Sequence, residues 1–349
     1  MIDDKFDKCH CDSPGFCPLF NKVMTDNPPN WQWCQSLSEE QREKYYIENK
    51  KNCFDLDGSK VFVTNEMLVK DTIKLINDLP PIKAVIGCPR SGMMPASFIA
   101  TALSIPLFSL SDSKLIKLSA RSNDGGSRMR HHKSQINLPI LVIDDTVFHG
   151  GEINLIKNLL KEQIPNEKLI FACVYCLPSS KHKIDYYSKG LTYPHILEWN
   201  IFNAESVINA AIDIDGVLCE DVPIQIDDDG EKYINYITNV KPIKKNIPKT
   251  FECKALCSGR LEKYRKITEK WLNKHGVKYK ELYLYDKTKH ERDSNHAFNV
   301  GKFKATITNN IKANLFIESC DHQSKIIANE LRMINNRSPV LCINSKKIY

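Results

Sequence analysis

The feature that most constrains this chain is an alternation, run twice, of short apolar stretches with helical patterns. Between Val61 and Leu197, the stretches KAVIG, PLFSL, PILVIDD and KLIFACVYCLP alternate with MMPASFIATAL and GEINLIKNLLKE. A second series begins at VINAAIDIDG and continues through FECKALCSGR, LEKYRKITEKWLNKHG, ELYLYD, NLFIESCD and SPVLCIN. Near-continuous apolar strands are those covered on both faces, and their alternation with helices predicts parallel sheets flanked by helices. The expected fold class is therefore α/β, with two Rossmann-like parallel-sheet domains. The length agrees, since 349 residues at roughly 150 per domain predict about two. The break is expected in WNIFNAES, giving domains at 60–203 and 204–349. Residues 1–59 form a separate Cys-rich segment, in which SLSEEQREKYYIENKK from Ser36 predicts a helix.

With 42% hydrophobic and 26% charged residues, wholesale disorder is excluded. No apolar run approaches the roughly 18 residues of a membrane span, and MIDDKFDKCHC lacks the basic and apolar regions of a secretion signal, so a cytoplasmic protein is expected. The net charge of +7 is mild and dispersed, which points to phosphorylated substrates and not to nucleic acid. Five of the 13 cysteines lie in the first 53 residues. An odd number of thiols in a reducing compartment is a poor disulfide framework. Cys9, Cys11, Cys17 and Cys34, with His10 nearby, could hold Zn²⁺ or an iron–sulfur cluster. Their spacing is not the usual paired CxxC, and the competing reading is four packed or exposed thiols. Cys173 and Cys176 do form CxxC, but in a strand pattern where they serve as small apolar side chains.

Two constellations carry chemistry. In the first, Ile140–Ile143 run into Asp144 and Asp145, followed by TVFHGG and a helix expected near Glu152. Adjacent carboxylates at a strand end can hold vicinal hydroxyls and a divalent cation, while a Gly-containing turn before a helix aims backbone N–H groups at phosphate. LVIDDTVFHGG resembles the phosphoribosyl-diphosphate (PRPP) signature of type I phosphoribosyltransferases, and AVIGCPRSGMMPA stands where that family binds pyrophosphate. By this resemblance Asp144 and Asp145 bind the ribose hydroxyls, directly or through Mg²⁺. Thr146, Val147, Phe148, His149, Gly150 and Gly151 would cradle the 5-phosphate, and Arg90, Ser91 and Gly92 would meet the pyrophosphate. Residues 114–133, basic at Lys114, Lys117, Arg121, Arg128, Arg130 and Lys133, match the family's flexible lid; the alternative is an exposed loop. His149 and Glu152 depart from the family pattern, and His149 would either contact phosphate or cap the following helix.

In the second, Asp213 and Asp215 stand at i and i+2 at the end of an apolar strand, so that both emerge on one side. One carboxylate can then attack phosphorus while the other moves protons. INAAIDIDGVLCE is similar to the DxDG signature of the haloacid dehalogenase superfamily, which implies Asp213 as nucleophile and Asp215 as acid/base. By the same resemblance Ser258 binds the transferring phosphoryl group and Lys304, with Lys302 as the competing choice, stabilises charge. Glu318 and Asp321 in ESCD would complete a Mg²⁺ site with Asp213 and Asp215. About thirty residues between Cys219 and Phe251 allow only a small cap.

The pairing is similar to the phosphoribosyltransferase–phosphatase systems that place ribofuranose in bacterial surface polysaccharides. It implies transfer of 5-phosphoribose from PRPP to a glycan or lipid-linked glycan, then removal of the 5-phosphate, with peripheral membrane association through the acceptor. Three alternatives are a nucleobase-specific transferase with a nucleotidase, a PRPP-binding regulatory protein and, last, an RNA-binding protein.

Overall fold

The computed structural model describes residues 61–111, 114–119, 139–148, 150–161, 164–165, 168–191, 195–223, 226, 230–286 and 296–349. Cys9, Cys11, Cys17, Cys34, Arg121, Arg128, Arg130 and His149 lie outside the described residues. Two compact units divide the chain, one holding residues 65–195 and the other residues 61–64 and 196–349. This differs from the 60–203 and 204–349 read from the sequence. Strand β1 (Val61–Val63) pairs with a later strand near residue 196, and Glu198 donates its N–H to the Val63 carbonyl. Phe62, Ile196, Ile201 and Phe202 also share a core with Ile212 and Ile317 of the second unit.

The first unit runs α1 (Asn65–Asp78), β2 (Ala84–Gly87), α2 (Met93–Leu103), β3 (Leu107–Ser111), β4 (Lys114–Ser119), β5 (Ile140–Val147), α3 (Gly151–Leu160), β6 (Leu169–Cys176) and β7 (Tyr186–Gly190). Its sheet has the order β4-β3-β2-β5-β6-β7, parallel except for the β3–β4 pair. Ile140, Leu141, Val142 and Ile143 are fully buried, each removing roughly 1.5–3 kcal/mol of apolar exposure. Two expectations are corrected. Residues 114–119, assigned above to the lid, form the antiparallel edge strand β4, because the first three residues of KLIKLS pair register by register with Ser111, Leu110 and Ser109. Strand β5 also continues through the aspartate pair to Val147, since its ladder with β6 extends to Cys176.

β8 (His195–Leu197) follows, and the second unit contributes β9 (Ala210–Ile212), α4 (Glu231–Asn239), β10 (Cys253–Leu261), α5 (Arg265–Lys274), β11 (Tyr279–Tyr285), α6 (His296–Asn310), β12 (Leu315–Glu318), α7 (Asp321–Met333), β13 (Val340–Cys342) and β14 (Lys347–Ile348). The sheet order is β11-β10-β9-β12-β13-β14, parallel but for the terminal β13–β14 pair. Both sheets reverse direction at one place. In the first the chain builds outward from β2 and then from β5; in the second, from β9 and then from β12. Crevices for ligands open at the carboxyl ends of strands flanking such a reversal. Among the described residues no helix is long and apolar enough to cross a membrane.

Candidate functional site

At the reversal of the first sheet, β5 presents Asp144 and Asp145, both buried at 6% and 2% exposure. The Asp145 N–H donates to Asp144 Oδ1 at 2.9 Å. Burial, then the neighbouring Asp145 carboxylate and more weakly Glu152, push the Asp144 carboxyl well above the usual carboxylate range. The loop after β2 lies against this pair. Cys88 donates its N–H to the Ile143 carbonyl at 2.9 Å, and a Cβ on Gly92 would stand 2.7 Å from Asp144 Oδ1. Only glycine permits that approach. Arg90 is exposed and Ser91 half-buried on the same loop.

Gly150, in the left-handed region at φ 68°, precedes α3, which starts at Gly151 with no side-chain cap. The first-turn N–H groups of a helix have no intrahelical partner and attract anions. Lys183, which the motif reading did not single out, lays its aliphatic chain across Gly150, where a Cβ would overlap it. Thr146 Oγ1 lies 3.5 Å from Nε2 of His195, and the His195 ring stacks on Phe148 with centroids 4.5 Å apart and planes 10° from parallel. Ser180 donates its hydroxyl to the Phe148 carbonyl.

At the reversal of the second sheet, Asp213 follows β9 and Glu318 ends β12. The Lys304 ammonium, buried at 2% exposure, donates to Asp213 Oδ2 at 2.8 Å, Glu318 Oε2 at 2.7 Å and Gln323 Oε1 at 2.8 Å. Helix α6 delivers this lysine, and Lys302, the competing choice, is exposed on the same helix. Burial raises the Asp213 carboxyl above its usual range despite Lys304, with the Glu318 and Asp215 carboxylates adding to the rise. The Lys304 ammonium is lowered by burial, but Asp213 and Glu318 outweigh this and hold it protonated.

Asp215 meets a different cation. Arg260, 1% exposed, donates through Nη2 to Oδ1 at 2.7 Å and through Nε to Oδ2 at 2.9 Å. Burial acts upward on the Asp215 carboxyl, but the Arg260 guanidinium prevails and holds it below its usual range. Ser258 Oγ donates to Asp215 Oδ2 at 3.4 Å and accepts the Arg260 N–H at 3.2 Å. Gly216 turns the chain at φ 73°, where a Cβ would overlap Ser319 Oγ. Arg260 was not identified as functional from sequence. The available signal was its i+2 spacing from Ser258, which places both on one face of a strand end.

The structure thus brings together Asp213, Asp215, Ser258, Lys304 and Glu318, but not Asp321. The Asp321 carboxylate accepts the hydroxyls of Ser345 at 2.6 Å and Tyr349 at 2.5 Å and pairs with Lys325, interactions that hold it ionised. The four-carboxylate Mg²⁺ cage expected from sequence does not fit this arrangement. Glu318 Oε1 accepts the Ser319 and Cys320 N–H groups, Asp213 Oδ1 accepts that of Ile214, and the remaining oxygens of Asp213, Asp215 and Glu318 face Lys304 or Arg260. Among the described residues no group of three or more His, Cys, Asp or Glu is arranged to hold a metal ion.

No protein-family model matches the chain, and no curated protein matches it. Among solved structures, it is similar to a purine phosphoribosyltransferase from Pyrococcus horikoshii Ot3, at 16% identity over 40% of this chain and 94% of that one, with a TM-score of 0.30. A Helicobacter pylori xanthine-guanine-hypoxanthine phosphoribosyltransferase matches at 18% identity over 40% and 92% of the two chains, TM-score 0.30. Orotate phosphoribosyltransferase from Aeropyrum pernix matches at 15% identity over 36% and 70%, TM-score 0.25.

Proposed function

We propose that the chain carries two successive activities, a PRPP-dependent phosphoribosyl transfer to a glycan acceptor and hydrolysis of the 5-phosphate that the transfer leaves. The observation that carries this reading is the placement of the two acidic pairs beside the two sheet reversals, Asp144 and Asp145 in the carboxyl-terminal half of β5 and Asp213 and Asp215 just beyond β9, where α/β folds bind ligands. Mg²⁺ enters the first site as part of the Mg–PRPP substrate. There Asp144 and Asp145 hold the ribose hydroxyls, the α3 N-terminus with residues 146–151 takes the 5-phosphate, and Arg90, Ser91 and Gly92 face the pyrophosphate. The lid arginines Arg121, Arg128 and Arg130 would neutralise the departing pyrophosphate.

In the second site Asp213 attacks phosphorus, Lys304 keeps that nucleophile oriented, and Ser258 takes a phosphoryl oxygen. Asp215 gives a proton to the leaving oxygen and draws one from the water that opens the aspartyl phosphate. The Arg260 contact favours the second of these steps and opposes the first, because it stabilises the carboxylate form. The order follows from the donor: removing the 5-phosphate first would strip PRPP of the group the α3 N-terminus binds, whereas removing it afterwards makes transfer effectively irreversible. Calorimetry with Mg–PRPP tests the first half. Binding by the wild type, with transfer in Asp145→Asn reduced about 10³-fold and hydrolysis of a ribose 5-phosphate glycoside intact, is the expected result. Absence of PRPP binding would overturn it.

A further inference from the structure

The transfer proposed above must remove a proton from the acceptor hydroxyl, and neither Asp144 nor Asp145 is placed for this while both hold the ribose. His195 offers an imidazole at the same strand end. Asp144 and Thr146 share a face of β5 by the two-residue period of a strand, and Thr146 Oγ1 lies 3.5 Å from His195 Nε2. The imidazole is 7% exposed and its plane is fixed by the Phe148 ring stacked 4.5 Å away. Phe148 in turn is held by the Ser180 hydroxyl on its carbonyl. A hydroxyl both donates and accepts, so Thr146 can pass a proton on to a nitrogen that lies behind it. Bonds of this kind tighten once substrate is bound.

We infer that His195 is the base of the transfer reaction, reached through the Thr146 hydroxyl; this inference rests on the phosphoribosyl-transfer reading. The acceptor O–H bond breaks as its oxygen bonds to C1 of the ribose. The C1–O bond to pyrophosphate breaks, and its electron pair leaves with the pyrophosphate. The acceptor's proton moves to Thr146 Oγ1 while the Thr146 proton moves to His195 Nε2, giving an imidazolium. No oxidant or further reactant is needed.

The test uses the full chain, Mg–PRPP as ligand and water as the probe acceptor. His195→Gln is expected to bind Mg–PRPP by calorimetry within about threefold of wild type, and both it and Thr146→Val, compared at saturating Mg–PRPP because Thr146 belongs to the 5-phosphate cradle, are expected to slow pyrophosphate release about 100-fold. In the wild type, the ¹⁵N imidazole resonance missing from the His195→Gln spectrum should shift when Mg–PRPP is added. An unmoved resonance overturns the inference, as does release unchanged in either variant. Loss of PRPP affinity in His195→Gln together with a lowered melting temperature assigns the ring a packing role and overturns it too. If the wild type binds PRPP but releases no pyrophosphate into water, the resonance alone decides. A wild type that does not bind Mg–PRPP removes the underlying reading and the inference with it.

Discussion

Asp144, in the carboxyl-terminal half of β5, and Asp213, just beyond β9, each stand beside the reversal of a six-stranded sheet, and both are buried. The charges around them differ. Asp144 is buried and acted on by the carboxylates of Asp145 and Glu152, so its charged form is disfavoured there. Asp213 and its neighbour Asp215 are each met by a buried cation, Lys304 and Arg260. The first arrangement awaits positive charge from a ligand, as Mg–PRPP would bring. The second is largely balanced within the protein, as Lys304 and Arg260 hold the carboxylates in place.

Substitutions can break this contrast. The largest effect is expected for Lys304→Met, which leaves Asp213 and Glu318 buried without their shared cation. Denaturant unfolding should show a loss of about 3–5 kcal/mol. Gly216→Ala comes next, at about 2 kcal/mol, because its backbone lies at φ 73° and a Cβ would meet Ser319. Asp144→Asn should act in the opposite direction, raising stability by about 1 kcal/mol while abolishing the proposed PRPP-dependent transfer, since it removes an ionisable carboxyl whose charged form this buried site disfavours. A destabilised Asp144→Asn would mean that the first site is balanced after all. The smallest effect is expected for Asp321→Asn. Its carboxylate is turned to Ser345 and Tyr349, so phosphate hydrolysis should stay within about threefold of wild type, against a loss of about 100-fold for Glu318→Gln.

Much of the second site could be read in the chain because its parts follow short apolar runs: Asp213 after AAI, Ser258 within CKALCSGRL and Glu318 after LFI. Each run fixes a strand, with Asp213 just beyond its end, Glu318 at its end and Ser258 in its carboxyl-terminal half. Strand order was not legible, because parallel pairing joins segments far apart in sequence, and so the common placement of both sites at reversals emerged only from the fold. Arg260 and His195 were missed for related reasons. A cation in a buried strand, or an imidazole that meets β5 from a distant part of the chain, has no local pattern to announce it. Asp321 misled through its nearness to Glu318. Helix α7 begins at Asp321 and carries its carboxylate toward the C-terminal residues, where Ser345 and Tyr349 bind it.

The most direct measurement of sequential action is mass spectrometry of the products formed from Mg–PRPP with a panel of synthetic glycans and nucleobases, comparing the wild type with Asp213→Asn. The account predicts a ribofuranosyl glycan from the wild type and an accumulated 5-phosphoribosyl glycan from the variant. The same phosphate-free product from both, or a product formed only with a nucleobase, would contradict it.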